Sequence, residues 1–133
     1  MTQHVLLLRV RYSETDQMGG YYNSRALEWF ECGRSELLRA LGKPYREMEA
    51  EGVMLPVSEA HVEYLGKARY DDLLKITSSA TMVGRVRVRV DVAIEQAETG
   101  RAVCRGHTVH AVTDSQGRPI RPPKWFCGLF PPS

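Results

Sequence analysis

Three features of the sequence predict an α+β domain: one long helix with a single apolar stripe, a series of alternating segments behind it, and tight turns between those segments. The helix is read over residues 24–41, SRALEWFECGRSELLRAL. Ala26, Leu27, Phe30, Gly33, Leu37, Leu38 and Leu41 recur at helical spacing, so one stripe faces a core. Gly42 and Pro44 supply the stop. Gly33 costs about 1 kcal/mol relative to Ala inside a helix, and close approach of the helix to another backbone is the expected offset. About five strands, mostly antiparallel, complete the prediction.

The strands follow in order. The opening MTQHVLLLRVRY puts Leu6, Leu8, Val10 and Tyr12 on one face and Val5, Leu7, Arg9 and Arg11 on the other. Residues 44–52 read as a short polar helix ended by Gly52. Residues 53–65 then alternate, with Ala60, Val62 and Tyr64 opposing Glu59, His61 and Glu63, which predicts one buried and one wetter face. Residues 73–83 carry Leu74, Ile76, Ala80 and Met82 in register. Residues 84–90, GRVRVRV, give the clearest alternation, with three valines on one face of a strand and three arginines on the other. Glu98-Thr99-Gly100 turns into a last long strand over 101–113, and Ser115-Gln116-Gly117 turns out of it. Residues 119–133, rich in proline and aromatics, are expected to form an extended tail over a neighbouring surface.

Length and composition exclude several classes. A chain of 133 residues is one domain, 1–133, and long enough for a core. Hydrophobic residues at 43% and charged residues at 26% describe a soluble globular protein. A net charge of +2 gives no argument for nucleic acid. The apolar run at residues 5–8 lacks the features of a signal peptide, and it is far short of the roughly 20 residues a membrane span needs. Cys32, Cys104 and Cys127 are odd in number and without C-x-x-C spacing, so neither a disulfide framework nor a zinc site is expected, and the default compartment is a reducing cytoplasm. His107 and His110, three apart in a strand, face opposite ways and do not share a metal. The same rule separates Asp71 from Asp72, which read as turn residues, and His61 reads as a solvated strand histidine. No metal and no cofactor is expected.

The chemistry gathers in residues 12–23, YSETDQMGGYYN. The first turn of a helix has N–H groups without internal partners and carries partial positive charge, so it binds or polarises oxygen atoms. Asp16 lies just ahead of that start, and Gly19 and Gly20 allow close backbone approach. A carboxylate beside such amides suits attack on a polarised carbonyl. The same residues also fit an Asx turn before a capped helix. The arginine row is likewise either a solvated face or an anion site, since the guanidinium fork matches phosphate oxygens.

The pattern Tyr12-x-Glu14-Thr15-Asp16-x-Met18-Gly19-x-x-x-Asn23, followed by Trp29-Phe30-Glu31, resembles the 4-hydroxybenzoyl-CoA thioesterase branch of the hot-dog-fold acyl-CoA thioesterases. Tyr70-Asp71-Asp72-x-Leu74 and Gly117-Arg118-Pro119-x-Arg121-x-Pro123 fall where that family carries similar sequences, so the resemblance spans roughly residues 5–123. It implies a sheet wrapped around the long helix, and hydrolysis of an acyl-CoA to free acid and coenzyme A. Asp16 would be general base or nucleophile, and the backbone N–H of Asn23 the oxyanion donor. Gly19 would turn the chain beside the substrate, Tyr21 and Tyr22 would wall the acyl pocket, and Arg85 and Arg87 would hold the coenzyme A phosphates. It further implies a homo-oligomer, a dimer of edge-joined sheets or a homotetramer of such dimers. Gly19-Gly20-Tyr21-Tyr22-Asn23 departs from the runs seen in relatives of either acyl preference, which leaves aromatic against aliphatic acyl groups open. A dehydratase on the same fold would need a histidine in the turn-to-helix motif, and this chain has none there. A non-catalytic acyl-CoA-binding domain would keep the fold without using Asp16.

Overall fold

A computed structural model describes residues 3–130. Five strands, β1 (Gln3–Arg9), β2 (Val57–Tyr64), β3 (Leu73–Val83), β4 (Arg87–Gln96) and β5 (Ala102–Ala111), form one sheet in the order β1-β3-β4-β5-β2, every neighbouring pair antiparallel. Helix α1 (Arg25–Ala40) lies across one face of it, and α2 (Tyr45–Ala50) and α3 (Lys124–Leu129) are single short turns at its flank. This is the α+β arrangement of a sheet around one long helix. No helix among the described residues is long and apolar enough to cross a membrane.

Alternation sets the sheet's two sides. Leu74, Ile76, Ala80 and Met82 of β3 and Val88, Val90, Val92 and Ile94 of β4 are buried, and they meet Trp29, Phe30 and Leu37 of α1 in one core. Leu27, expected in the helix stripe, is 41% exposed, while Trp29, one turn from Ala26 and Gly33 on the other side of the helix, is buried. Gly33 explains how closely the layers meet: a Cβ there would lie 2.6 Å from Ser78 Oγ and 2.8 Å from Ile76 Cγ2. The helix therefore presses on side chains of β3 rather than on backbone.

Three expectations need correction. The side of β2 predicted to be buried is not: Ala60 is exposed, Tyr64 is 49% exposed, and only Val62 reaches half-burial, because β2 is an edge strand with no cover. Residues 84–86 are a turn, so the strand begins at Arg87 and Arg85 sits at the hairpin tip; Gly84, with φ of +63°, starts that reversal. The C-terminal segment is not extended throughout. Its residues 124–129 coil into α3, which buries Phe126 in the core beside Phe130, and Lys43 lies over the Trp125 ring at 4.4 Å.

Candidate active site

The segment joining β1 to α1 folds back on itself around Asp16. Residues Thr15 and Tyr21 pair as an isolated bridge, Asp16 N–H donates to Gly20 O at 2.7 Å, and Gly19 N–H donates to Asp16 O at 3.2 Å. Gly19 adopts φ of +82°, a conformation other residues reach only with strain. The carboxylate sits inside this loop: its Oδ1 accepts from Met18 N–H at 2.8 Å and from Gly20 N–H at 3.3 Å. Oδ2 accepts no hydrogen bond among the described residues. One oxygen thus fixes the side chain while the other keeps its acceptor sites open.

Next to the loop lies the start of α1. Tyr22 N–H donates to Glu14 O at 3.0 Å and Arg25 N–H to Tyr22 O at 2.9 Å, whereas the N–H of Asn23 has no partner among the described residues. The Asn23 carbonyl is held from both sides, by Ala26 N–H at 3.2 Å and by the Tyr64 hydroxyl at 3.0 Å. The peptide is therefore fixed and its neighbouring amide is free, as an oxyanion donor must be.

Glu14 holds loop and helix together. It is 3% exposed, accepts from Arg11 N–H at 2.7 Å and from Trp29 Nε1 at 2.9 Å, and its second contact with Arg11 is a guanidinium at 3.4 Å. Sequence reasoning gave this residue no role. The available signal was Trp29, a buried aromatic whose N–H must find an acceptor.

A cleft of about 510 Å³ opens beside Asp16, with Gly19, Tyr22, Tyr12, Arg69 and Tyr70 on its walls. The rings of Tyr12 and Tyr70 meet edge to face at 5.6 Å. Asp72 supports this wall as a turn residue, accepting from Arg69 N–H at 2.8 Å and Gln96 Nε2 at 3.2 Å. Tyr21 does not join Tyr22 here. It turns inward, 8% exposed, with its ring 4.9 Å from Trp29 and its hydroxyl beside Cys104, without a hydrogen bond of normal geometry among the described residues. Burial first, and then the neighbouring Cys104, push its pKa up, and burial raises Cys104 to about 11. Neither group is a base or nucleophile near neutrality.

Arg85 and Arg87 lie elsewhere. β3 runs eleven residues from the Asp16 end of the sheet to the hairpin, which is roughly 35 Å at strand rise. Arg85 lines a second cleft of about 510 Å³ with Arg121, Met82 and Phe130, and Arg87 is exposed at the start of β4. Within one chain they and Asp16 occupy opposite ends. Arg89 is committed to Asp91 at 3.0 Å. His107 stacks on His61 across the outer face at 5.5 Å, while His110 is buried on the inner face, so the two do face apart. Among the described residues no group of three or more His, Cys, Asp or Glu could hold a metal.

A sequence model described as the Thioesterase-like superfamily matches residues 10–130. YneP of Bacillus subtilis, provisionally named an acyl-CoA thioesterase, is 42% identical over 65 residues, a stretch that is 49% of this chain and 47% of that protein. The 1,4-dihydroxy-2-naphthoyl-CoA hydrolase of Synechococcus elongatus is 29% identical over 115 residues, covering 85% of this chain and 83% of that one. The solved structure of a 4-hydroxybenzoyl CoA thioesterase superposes with a TM-score of 0.84 over 97% of this chain and 99% of that chain; at 17% identity this is a likeness of fold.

Proposed function

The chain belongs to the thioesterase-like superfamily, and from that premise we propose that it hydrolyses an acyl-CoA thioester to free acid and coenzyme A. One observation carries the reading: a carboxylate pinned by its own loop through Oδ1, with Oδ2 free, next to an unpaired amide at the helix start. The Asn23 N–H would donate to the thioester carbonyl oxygen and stabilise the charge that develops on it, a contribution of about 3 kcal/mol for such donors. Asp16 either takes a proton from the attacking water or attacks the carbonyl itself. In the first route the tetrahedral intermediate collapses with loss of thiolate, and the proton passes on to sulfur. In the second the Asp16 carboxylate displaces the thiolate to give a mixed anhydride, and water cleaves that to the free acid and the Asp16 carboxylate, its proton passing to the thiolate. Gly19 and Tyr22 line the acyl side of the cleft.

The open edge of β2 supports a homodimer. Antiparallel pairing of β2 with a second copy would set Tyr64 of one chain beside the Val57 end of the other, and thus on the same side as the partner subunit's hairpin. Val57 neighbours His110, and His110 neighbours Val88, so the partner subunit's Arg87 and Arg85 would stand about three strand spacings, roughly 15 Å, from Tyr64 of the first chain. That separation suits the pantetheine arm between a thioester and its phosphates. Pairing of two such dimers into a tetramer is a further step of the same proposal. Three free thiols, Cys32, Cys104 and Cys127, fit a reducing cytoplasm.

The test is release of free thiol from a panel of aromatic and fatty acyl-CoAs. Asp16→Asn should lower kcat by orders of magnitude with little change in folding. Near-normal turnover by that variant would remove the mechanism. The Asx turn around Asp16 is the observation behind the rival, a non-catalytic acyl-CoA-binding domain, and that rival predicts binding of acyl-CoA with no thiol released.

A further inference from the structure

Between α1, α2 and the segment entering β2 lies a cavity of about 260 Å³, lined by Glu31, Arg34, Ser35 and Leu38 of α1, Tyr45 of α2, and Leu55, Pro56 and Val57. It shares no lining residue with the Asp16 cleft. It is smaller than the sites that hold drug-sized ligands.

Arg34 is what sets it apart. The side chain is half-buried, and its guanidinium makes no hydrogen bond or ion pair among the described residues. Every other described arginine without a partner is exposed, while Arg25 and Arg89, equally half-buried, each hold a carboxylate. Burial lowers the Arg34 pKa, and Glu31, one helical turn away and itself exposed, offsets this only from beyond ion-pair distance. The Tyr45 hydroxyl is already engaged, accepting from Leu55 N–H at 3.1 Å and lying 4.0 Å from Met54 Sδ. His110, whose pKa Arg34 helps to lower, binds Thr108 and the Leu55 carbonyl. A cation drawn out of water with its donors unmet is costly unless an anion completes it. Leu38, Leu55, Pro56 and Val57 supply the apolar wall and Ser35 a hydroxyl, while the exposed Glu31 carboxylate borders the cavity without an ion pair to Arg34 among the described residues.

We propose that this cavity binds a compact carboxylate with an apolar body, its oxygens on the Arg34 fork and its body against Leu38, Leu55 and Val57. The carboxylate has two sources: the far end of the acyl group, which rests on the thioesterase reading, or a free organic acid, which does not.

Benzoate and its neutral isostere benzamide are the first probes, titrated calorimetrically into the unaltered protein, Arg34→Met and Asp16→Asn. Benzoate should bind the unaltered protein and Asp16→Asn alike, and should bind Arg34→Met about ten-fold or more weakly. Benzamide should bind weakly to all three. Adipoyl-CoA against hexanoyl-CoA separates the sources. A rise in KM on Arg34→Met for adipoyl-CoA alone assigns the cavity to the acyl terminus, and equal KM changes with benzoate selectivity kept assign it to free acids. Without ligand, Arg34→Met should keep or raise Tm, because the lost charge had no partner. Three results would each overturn the proposal: no benzoate binding at millimolar concentration, equal binding by Arg34→Met, or a fall of several degrees in ligand-free Tm accompanied by dissociation of an oligomer. The last would make the counter-charge a second copy of the chain. The benzoate titration needs no turnover, so failure of the thioesterase reading leaves it intact.

Discussion

Replacing Glu14 by alanine tests how the site is held. The residue is 3% exposed and accepts from Arg11 N–H and Trp29 Nε1, with the Arg11 guanidinium at longer range. Truncation removes all three contacts and leaves the indole N–H of Trp29, 1% exposed, without an acceptor. A buried donor left unmet costs about 1–3 kcal/mol, and each lost bond to an ionised group is worth roughly 1.5–3 kcal/mol. The Arg11 guanidinium is 70% exposed and contributes little. The sum is about 3–5 kcal/mol, a large share of the roughly 5–15 kcal/mol that keeps a domain folded. For a chain of this size that is a Tm drop of about 10–20 °C. Glu14→Gln keeps the shape but sets an amide donor against a donor, so about half the loss is expected. The pair of half-buried Arg25 with exposed Glu28 is the control, and Glu28→Ala should cost less than about 1 kcal/mol. Calorimetric melting reads all three, and a Glu14→Ala Tm within about 2 °C of the unaltered protein would refute the account.

Two other predictions follow from the charges. Arg87→Ala should raise KM for a full acyl-CoA by about ten-fold and leave a truncated thioester without the nucleotide unchanged; equal effects on both would make the arginine row a solvated face. His110 gives a pH signature. Its Nδ1 faces the Leu55 carbonyl and so carries the proton, and Nε2 accepts from Thr108. Burial chiefly, and Arg34 secondarily, lower its pKa to about 4, against the backbone bond that raises it. Above pH of about 6.5 neither folded nor unfolded chain protonates it, so its contribution is fully present there. As pH falls the unfolded chain takes up the proton first, and stability drops until the folded pKa is reached. Urea midpoints should therefore decline between about pH 6.5 and 4, by on the order of 3 kcal/mol in total, and His110→Asn should flatten that decline; an unchanged slope would remove His110 as its source.

What the sequence revealed depended on whether one chain supplies both sides of a contact. α1 and β3 bury against each other, so their periodicities predicted them well. β2 alternates just as clearly, yet its expected buried face has no cover within the chain. α3 was missed because six residues between prolines carry little helical signal, although Phe126 and Phe130, four apart, marked the anchored side. Around Asp16 the loop glycines and helix start were readable from local chemistry alone. Glu14 was not, since its partner Trp29 is fifteen residues away. Tyr21 and Tyr22 are adjacent and chemically alike, and only the bridge from Thr15 to Tyr21 decides which one turns inward.

Tyr64 belongs to two structures at once. It ends the uncovered edge strand, and its hydroxyl holds the carbonyl of Asn23, the residue whose amide is free at the helix start. A hydrogen bond exposed to water is weaker than the same bond sheltered from it. Any strand that closes the β2 edge also shelters this tether and stiffens the peptide that, in the proposed reaction, meets the substrate oxygen. Catalytic competence would then arrive with quaternary structure, and a dilute protein would lose turnover while its fold was still intact.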